Sequence, residues 1–157
     1  MFLNESYYNN GQEALPAENG LGSVWISGYD FAHNLGKLRQ NGIMGICSAV
    51  DLSFKYPPDF EQIKFALDDC ESQKITGCFQ EAYEFIEAQR RKTNVLVHCA
   101  AGISRSSAML ISYMMKKYGY SFDESLKRVR EKRACVQPNS GFERQLREYE
   151  KELKLKK

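Results

Sequence analysis

A chain of 157 residues, 43 % of them hydrophobic and 27 % charged, has the size and balance of one globular domain with its own core. Its formal net charge of +2 is too small to argue for a nucleic-acid or membrane partner. The longest uncharged apolar stretch, Ala108 to Met115, is too short to cross a bilayer. Five cysteines at irregular spacings, with no C-x-x-C pair, fit free thiols in a reducing cytosol or nucleus better than a disulfide framework. The two histidines lie in no ligand-spaced cluster, so neither zinc nor any other metal or cofactor is expected.

The opening MFLNESYYNNGQ has no basic run leading into an apolar one and no glycine at position 2, so neither a secretory leader nor a myristoyl anchor is expected. Residues 1–20 are polar and read as a loosely structured lead-in, which could complete a sheet, cover a site or dimerise. A single domain is expected over residues 21–155. Val24 to Ser27 reads as a short strand, followed by one helix from Asp30 to Gln40 that stops at Asn41-Gly42. Ile43 to Val50 is apolar enough for a buried strand, and Pro57-Pro58 then break the chain. Ile63, Phe65 and Leu67 alternate with Lys64 and Ala66, a strand pattern ending at Asp68-Asp69. Ile75, Phe79, Ala82, Tyr83 and Ile86 recur at helical spacing. Val95 to Val97 is a brief strand running into His98 and Cys99.

Three helices follow. The first starts near Ser104 and is apolar almost all round, as a buried central helix would be. The second opens on Ser121-Phe-Asp-Glu124, which has capping-box spacing. The third carries Phe142, Leu146, Tyr149 and Leu153 on one face. The basic run Arg128, Arg130, Lys132 and Arg133 reads as a solvated helix face. Strands alternating with helices, then a helical C-terminal part, predict an α/β fold: a mostly parallel twisted central sheet flanked by helices.

The chemistry lies in VLVHCAAGISRSSAML, residues 95–110. A strand, a glycine-bearing turn and a buried helix together make an anion site. The first amides of a helix lack intrahelical partners and carry partial positive charge. A short loop that wraps such amides around one point is a nest for a tetrahedral oxyanion. Gly102 permits backbone angles that a β-carbon hinders. Arg105, six positions after Cys99, can fork onto two phosphate oxygens. The same field favours the thiolate of a cysteine at the start of the loop. A thiolate beneath a bound phosphate is placed for in-line attack, giving a phosphocysteine intermediate, with loop amides and Arg105 stabilising the equatorial oxygens. The bland alternative is that Cys99 is a small buried hydrophobe. It leaves the adjacent His, Gly, Arg and Ser unexplained.

HCAAGISRSS resembles the signature loop of the dual-specificity phosphatases, within the cysteine-dependent protein tyrosine phosphatase superfamily. The likeness runs from Val24 to Glu150 and includes GIMGICSAV and QPNSGFERQLREYE, the latter similar to the family's PN-x-GF-x-x-QL segment. It implies a small, stand-alone phosphatase catalytic domain over residues 21–155. It also implies Cys99 as nucleophile and Arg105 as phosphate binder, in a phosphate loop of Cys99, Ala100, Ala101, Gly102, Ile103, Ser104 and Arg105. Ser106 resembles the hydroxyl residue that helps the cysteine leave, His98 the histidine that orders the loop, and Asn139 a residue supporting the loop from behind.

Expelling an alkoxide or phenoxide needs a proton donor from another segment, and Asp68-Asp69 is the candidate pair. The family spacing to an aromatic on the next helix, here Phe79, selects Asp69 and leaves Asp68 as the fallback. In some relatives a second cysteine protects the nucleophile as a disulfide. Cys47 and Cys70 are the candidates here, against the plainer reading of both as ordinary thiols.

The loop interior has no lysine, unlike relatives that act on phosphoinositides, and lacks the His and Phe that flank the glycine in RNA-triphosphatase relatives. No deep tyrosine-recognition segment is present. The expected partners are therefore phosphorylated proteins carrying phosphotyrosine and phosphoserine or phosphothreonine. The alternative is a catalytically silent phosphate- or phosphoprotein-binding module on the same fold.

Overall fold

The computed structural model describes residues 8–155. Five strands form one sheet: β1 (Gln12–Leu15), β2 (Val24–Ser27), β3 (Ile43–Ser48), β4 (Glu61–Lys64) and β5 (Asn94–His98), in the order β1-β2-β5-β3-β4. β1 pairs antiparallel with β2, and every other pairing is parallel. The α/β expectation of a mostly parallel sheet flanked by helices holds.

Helices flank the sheet: α1 (Tyr29–Ala32), α2 (Leu35–Gln40), α3 (Phe79–Arg90), α4 (Arg105–Tyr118), α5 (Phe122–Lys132) and α6 (Ser140–Leu155). Strand periodicity sorts side chains between two cores. Val24, Ile26, Cys47, Val95 and Val97 join the large core that also takes in α3 to α6, while Ile46 and Leu96 join a smaller core with Phe31, Leu38 and Phe60. α4 lies at the centre, with every residue from Ser106 to Met115 buried. It ends at Gly119, whose φ of 72° is the left-handed C-terminal stop. The capping reading at Ser121 also holds, its hydroxyl accepting from the Glu124 amide at 3.0 Å.

Three expectations change. The single helix over residues 30–40 is two helices, because Asn34 turns its side chain onto the Lys37 amide and caps a fresh start. The strand ending at the acidic pair is Glu61–Lys64, slightly earlier than the alternation of Ile63 to Leu67 suggests. The Phe65 amide still reaches the Ser48 carbonyl of β3 at 2.8 Å, but beyond it the alternation of Phe65 and Leu67 reflects their entry into the large core. The loose lead-in over residues 1–20 is ordered in its described part. β1 completes the sheet, and two buried arginines hold the segment down. Arg90, 1 % exposed, donates to the carbonyls of Gly22 and Pro16 and to the hydroxyls of Tyr113 and Tyr118. Arg133, fully buried, donates to the carbonyls of Asn10 and Tyr8 and to Gln12 Oε1. Residues 1–7 lie outside the described residues. Among the described residues, no helix is long and apolar enough to cross a membrane.

Candidate active site

β5 delivers Cys99 to the C-terminal end of the parallel strands, where open α/β sheets hold their ligands. The thiol is only 2 % exposed, and its Sγ lies 3.1 Å from Ser106 Oγ. Both residues therefore sit at the floor of the loop, facing the first turn of α4. Ala100 and Ala101 are exposed at the rim, whereas Gly102 and Ser104 are buried.

Gly102 has a φ of +70°. An added β-carbon would also stand 2.6 Å from the Gly28 nitrogen and 2.8 Å from the Arg133 guanidinium. Conformation and space both require glycine there. Arg133 lies behind this turn and donates to the carbonyls of Gly102 (2.9 Å) and Ala101 (3.1 Å). Binding those oxygens from outside leaves the loop's N–H groups to face the centre. Arg133 is thus not part of a solvated basic face. It is a buried clamp on the loop, and sequence reasoning missed it.

His98 is fully buried. Its Nε2 is 2.6 Å from Ser48 Oγ and its Nδ1 is 3.3 Å from the Cys99 carbonyl. Burial away from water holds its pKa down, from 6.5 to about 4. The ring is therefore neutral at pH 7. Its Nδ1–H donates to the Cys99 carbonyl, and Nε2 accepts from the Ser48 hydroxyl, which in turn accepts from Gln62 Nε2 at 2.9 Å. This chain suits a residue that orders the loop, not one that exchanges protons with substrate.

Arg105 opens α4, and its guanidinium donates to the Leu67 carbonyl at 3.0 Å. This contact ties the signature loop to the segment that carries the acidic pair. The Asp69 carboxylate accepts from Asn139 Nδ2 at 2.9 Å. The Asn139 amide donates to Ser104 Oγ at 2.9 Å, and its side-chain oxygen accepts from the Phe142 amide, capping α6. Asn139 therefore does more than support the loop from behind: it joins the acid, the loop and a helix start. Asp68, by contrast, engages Gln73 through its backbone amide alone. Asn139 thus ties Asp69, rather than Asp68, to the signature loop. Gln145 fastens the far end of the acid segment, accepting from the Ile75 amide and donating to the Gln73 carbonyl.

The two candidate second cysteines sit in different settings. Cys47 is buried in β3 opposite Val97, and desolvation, with a smaller push from Cys78, drives its thiol up to about 12. Cys70 is exposed beside Ser72. Ser104, which takes the Asn139 amide, and Arg133 are the contributors whose roles residue patterns did not reveal. Arg133 offered no signal beyond membership of a basic run.

Among the described residues, no cluster of three or more His, Cys, Asp or Glu side chains could hold a metal ion. What remains is an anion nest with a thiol at its floor, a hydroxyl against the thiol, a guanidinium at its edge and a carboxylate on a facing loop.

Known proteins resemble this chain over most of its length. A family model described as the dual specificity phosphatase catalytic domain matches residues 27–152. Protein phosphatase Slingshot homolog 3 of Mus musculus is 39 % identical over 132 residues, covering 83 % of this chain and 20 % of that protein. MAP kinase phosphatase with leucine-rich repeats protein 3 of Dictyostelium discoideum is 38 % identical over 134 residues, covering 83 % of this chain and 15 % of its own length. The chain thus spans a fifth or less of these two relatives. Among solved structures, DUSP15 superposes with a TM-score of 0.82 at 26 % identity, covering 95 % of this chain and 97 % of the other. The human tyrosine phosphatase-like serine/threonine/tyrosine-interacting protein gives 0.79 at 29 % identity, covering 91 % and 97 %.

Proposed function

This chain belongs to the dual specificity phosphatase family, and from that premise we propose that it hydrolyses phosphotyrosine and phosphoserine or phosphothreonine monoesters on proteins through a phosphocysteine intermediate. The observation that carries the reading is the Cys99–Ser106 contact at the floor of a loop clamped from outside by Arg133. A phosphoryl group in that nest meets the loop amides and the Arg105 guanidinium, which exchanges the Leu67 carbonyl for phosphate oxygens. The Cys99 thiolate attacks phosphorus in line, the phosphorus–oxygen ester bond breaks, and Asp69 gives its proton to the departing oxygen. A water then attacks the phosphocysteine, Asp69 takes a proton from it, and the sulfur leaves as thiolate. The Ser106 hydroxyl donates to that sulfur and stabilises it as it departs. Phosphate dissociates, and the enzyme returns to its starting state.

The test is hydrolysis of an aryl phosphate with EDTA present, wild type against Cys99→Ser. Turnover by the wild type that vanishes in the variant supports the thiolate mechanism. A second reading, a silent phosphoprotein-binding module, is favoured by the likeness to a structural relative that is itself named a phosphatase-like interacting protein. It would be selected by phosphate binding at the loop without turnover, an outcome that overturns the enzymatic reading.

A further inference from the structure

Beside the signature loop lies a cavity of about 200 Å³ that the phosphoryl chemistry does not use. Ala100, Ala101 and Ile103 form its loop side, Tyr29 and Asp30 of α1 a second wall, and Tyr8 a third. Tyr8 and Tyr29 are 40 % and 47 % exposed, and they are the large exposed hydrophobic side chains of the described residues. Both border the same space. Such concentration is what a recognition surface shows, since exposed apolar side chains are ordinarily scattered.

The wall is preorganised. The Tyr29 amide donates to the Ala100 carbonyl at 2.7 Å, its ring lies 3.8 Å from the His33 ring, and its carbonyl accepts from His33 Nδ1 at 2.7 Å. Among the described residues of the lining, Asp30 is the one that carries a charge. It is exposed, and no described cation pairs with its carboxylate. A carboxylate lining the same cavity as two exposed tyrosines complements a long cationic side chain. The charge meets Asp30 while the stem and head group lie on aromatic faces. An acidic side chain in the same place would be repelled.

A peptide with its phosphate over Cys99 advances about 3.3 Å per residue when extended, so a cavity bordered by Ala100 and Ala101 falls to a near neighbour of the phosphorylated residue. We propose that this cavity is a substrate subsite for a lysine or arginine side chain within two residues of the phosphorylated position, with Asp30 as its charge partner. The proposal rests on the phosphatase reading above and names its substrate class: phosphoproteins with a basic residue flanking the phosphate.

The test uses phosphotyrosine peptides bearing Arg, Ala or Glu at each of the two positions on either side. Wild type, Asp30→Asn and Asp30→Lys are compared, with aryl phosphate hydrolysis by each protein as the reference. At one or more positions the wild type should prefer Arg over Glu by about tenfold in kcat/KM, carried by KM. Asp30→Asn should bring the ratio near unity, and Asp30→Lys should invert it. Equal kcat/KM at all positions in the wild type, or a ratio untouched by Asp30→Asn, overturns the proposal. The same peptides are titrated onto the Cys99→Ser protein by fluorescence anisotropy. An Arg preference in Kd without wild-type turnover would keep the subsite and remove the phosphatase reading. Turnover with no preference in either assay would do the reverse.

Discussion

Replacing Arg133 with methionine removes a fully buried guanidinium and keeps a long, flexible side chain in its place. The guanidinium donates to Gly102, Ala101, Asn10, Tyr8 and Gln12. Oxygens near the surface segment regain water after the change, whereas the Gly102 and Ala101 carbonyls lie behind the loop. Stranding a buried acceptor costs about 1–3 kcal/mol. The Gly102 bond is fully buried and the Ala101 bond only partly so, which gives a loss of about 3 kcal/mol, reduced because a buried cation no longer has to be desolvated. The expected destabilisation is therefore about 2 kcal/mol, or roughly 4–8 °C in Tm for a domain of this size. Chemical denaturation gives the stability, and isothermal titration of tungstate gives loop competence, which should weaken along with it. Arg133→Lys retains the charge but cannot fork, so it should fall between wild type and Arg133→Met. If Arg133→Met unfolds within about 0.5 kcal/mol of wild type, the clamp is not holding the loop and the reasoning fails.

Other perturbations follow from the same geometry. Because the folded His98 pKa lies at about 4 against 6.5 when unfolded, the unfolded chain binds the extra proton between those values. Its contribution to stability is complete above pH 6.5 and is lost as pH falls towards 4, roughly 3 kcal/mol across the window. Urea midpoints from pH 4.5 to 7 should show this slope, and His98→Gln should flatten it. Asp69→Asn should lower aryl phosphate kcat by about 10²-fold or more and remove a limb of its pH profile, while Asp68→Asn should change little. The opposite ranking would transfer the acid role to Asp68. At pH 8, iodoacetamide should label exposed Cys70 and spare Cys47, whose thiol is held near 12. Mass spectrometry of native protein reads this directly, and labelling of Cys47 at the Cys70 rate would contradict its burial.

The parts legible from sequence are those in which one local pattern decides the outcome. The strand–loop–helix at Val95 to Met115 and the stripe on α6 are of this kind. So is the Ser121 cap, because neighbouring residues settle it. Patterns misled where distant contacts decide. Phe65 and Leu67 alternate like a strand yet answer to the core, and Asn34 interrupts an apolar rhythm that otherwise reads as one helix. Arg133 sits in a run of basic residues, and only partners 31 to 125 positions away mark it as buried. Family spacing selects Asp69 over Asp68, whereas the bond that ties Asp69 to Asn139 spans 70 positions and leaves no local pattern.

The attachment of residues 8–22 bears on where the domain can be cut. The family match begins at residue 27, inside β2. A recombinant fragment starting there would lack β1 and nearly all of β2, leaving β5 as a raw, apolar sheet edge open to pairing with other chains. Arg90 and Arg133 would each lose oxygens from the missing segment while remaining buried cations. The homology boundary and the smallest unit that folds are therefore different objects, and the ordered portion of the polar lead-in belongs to the second.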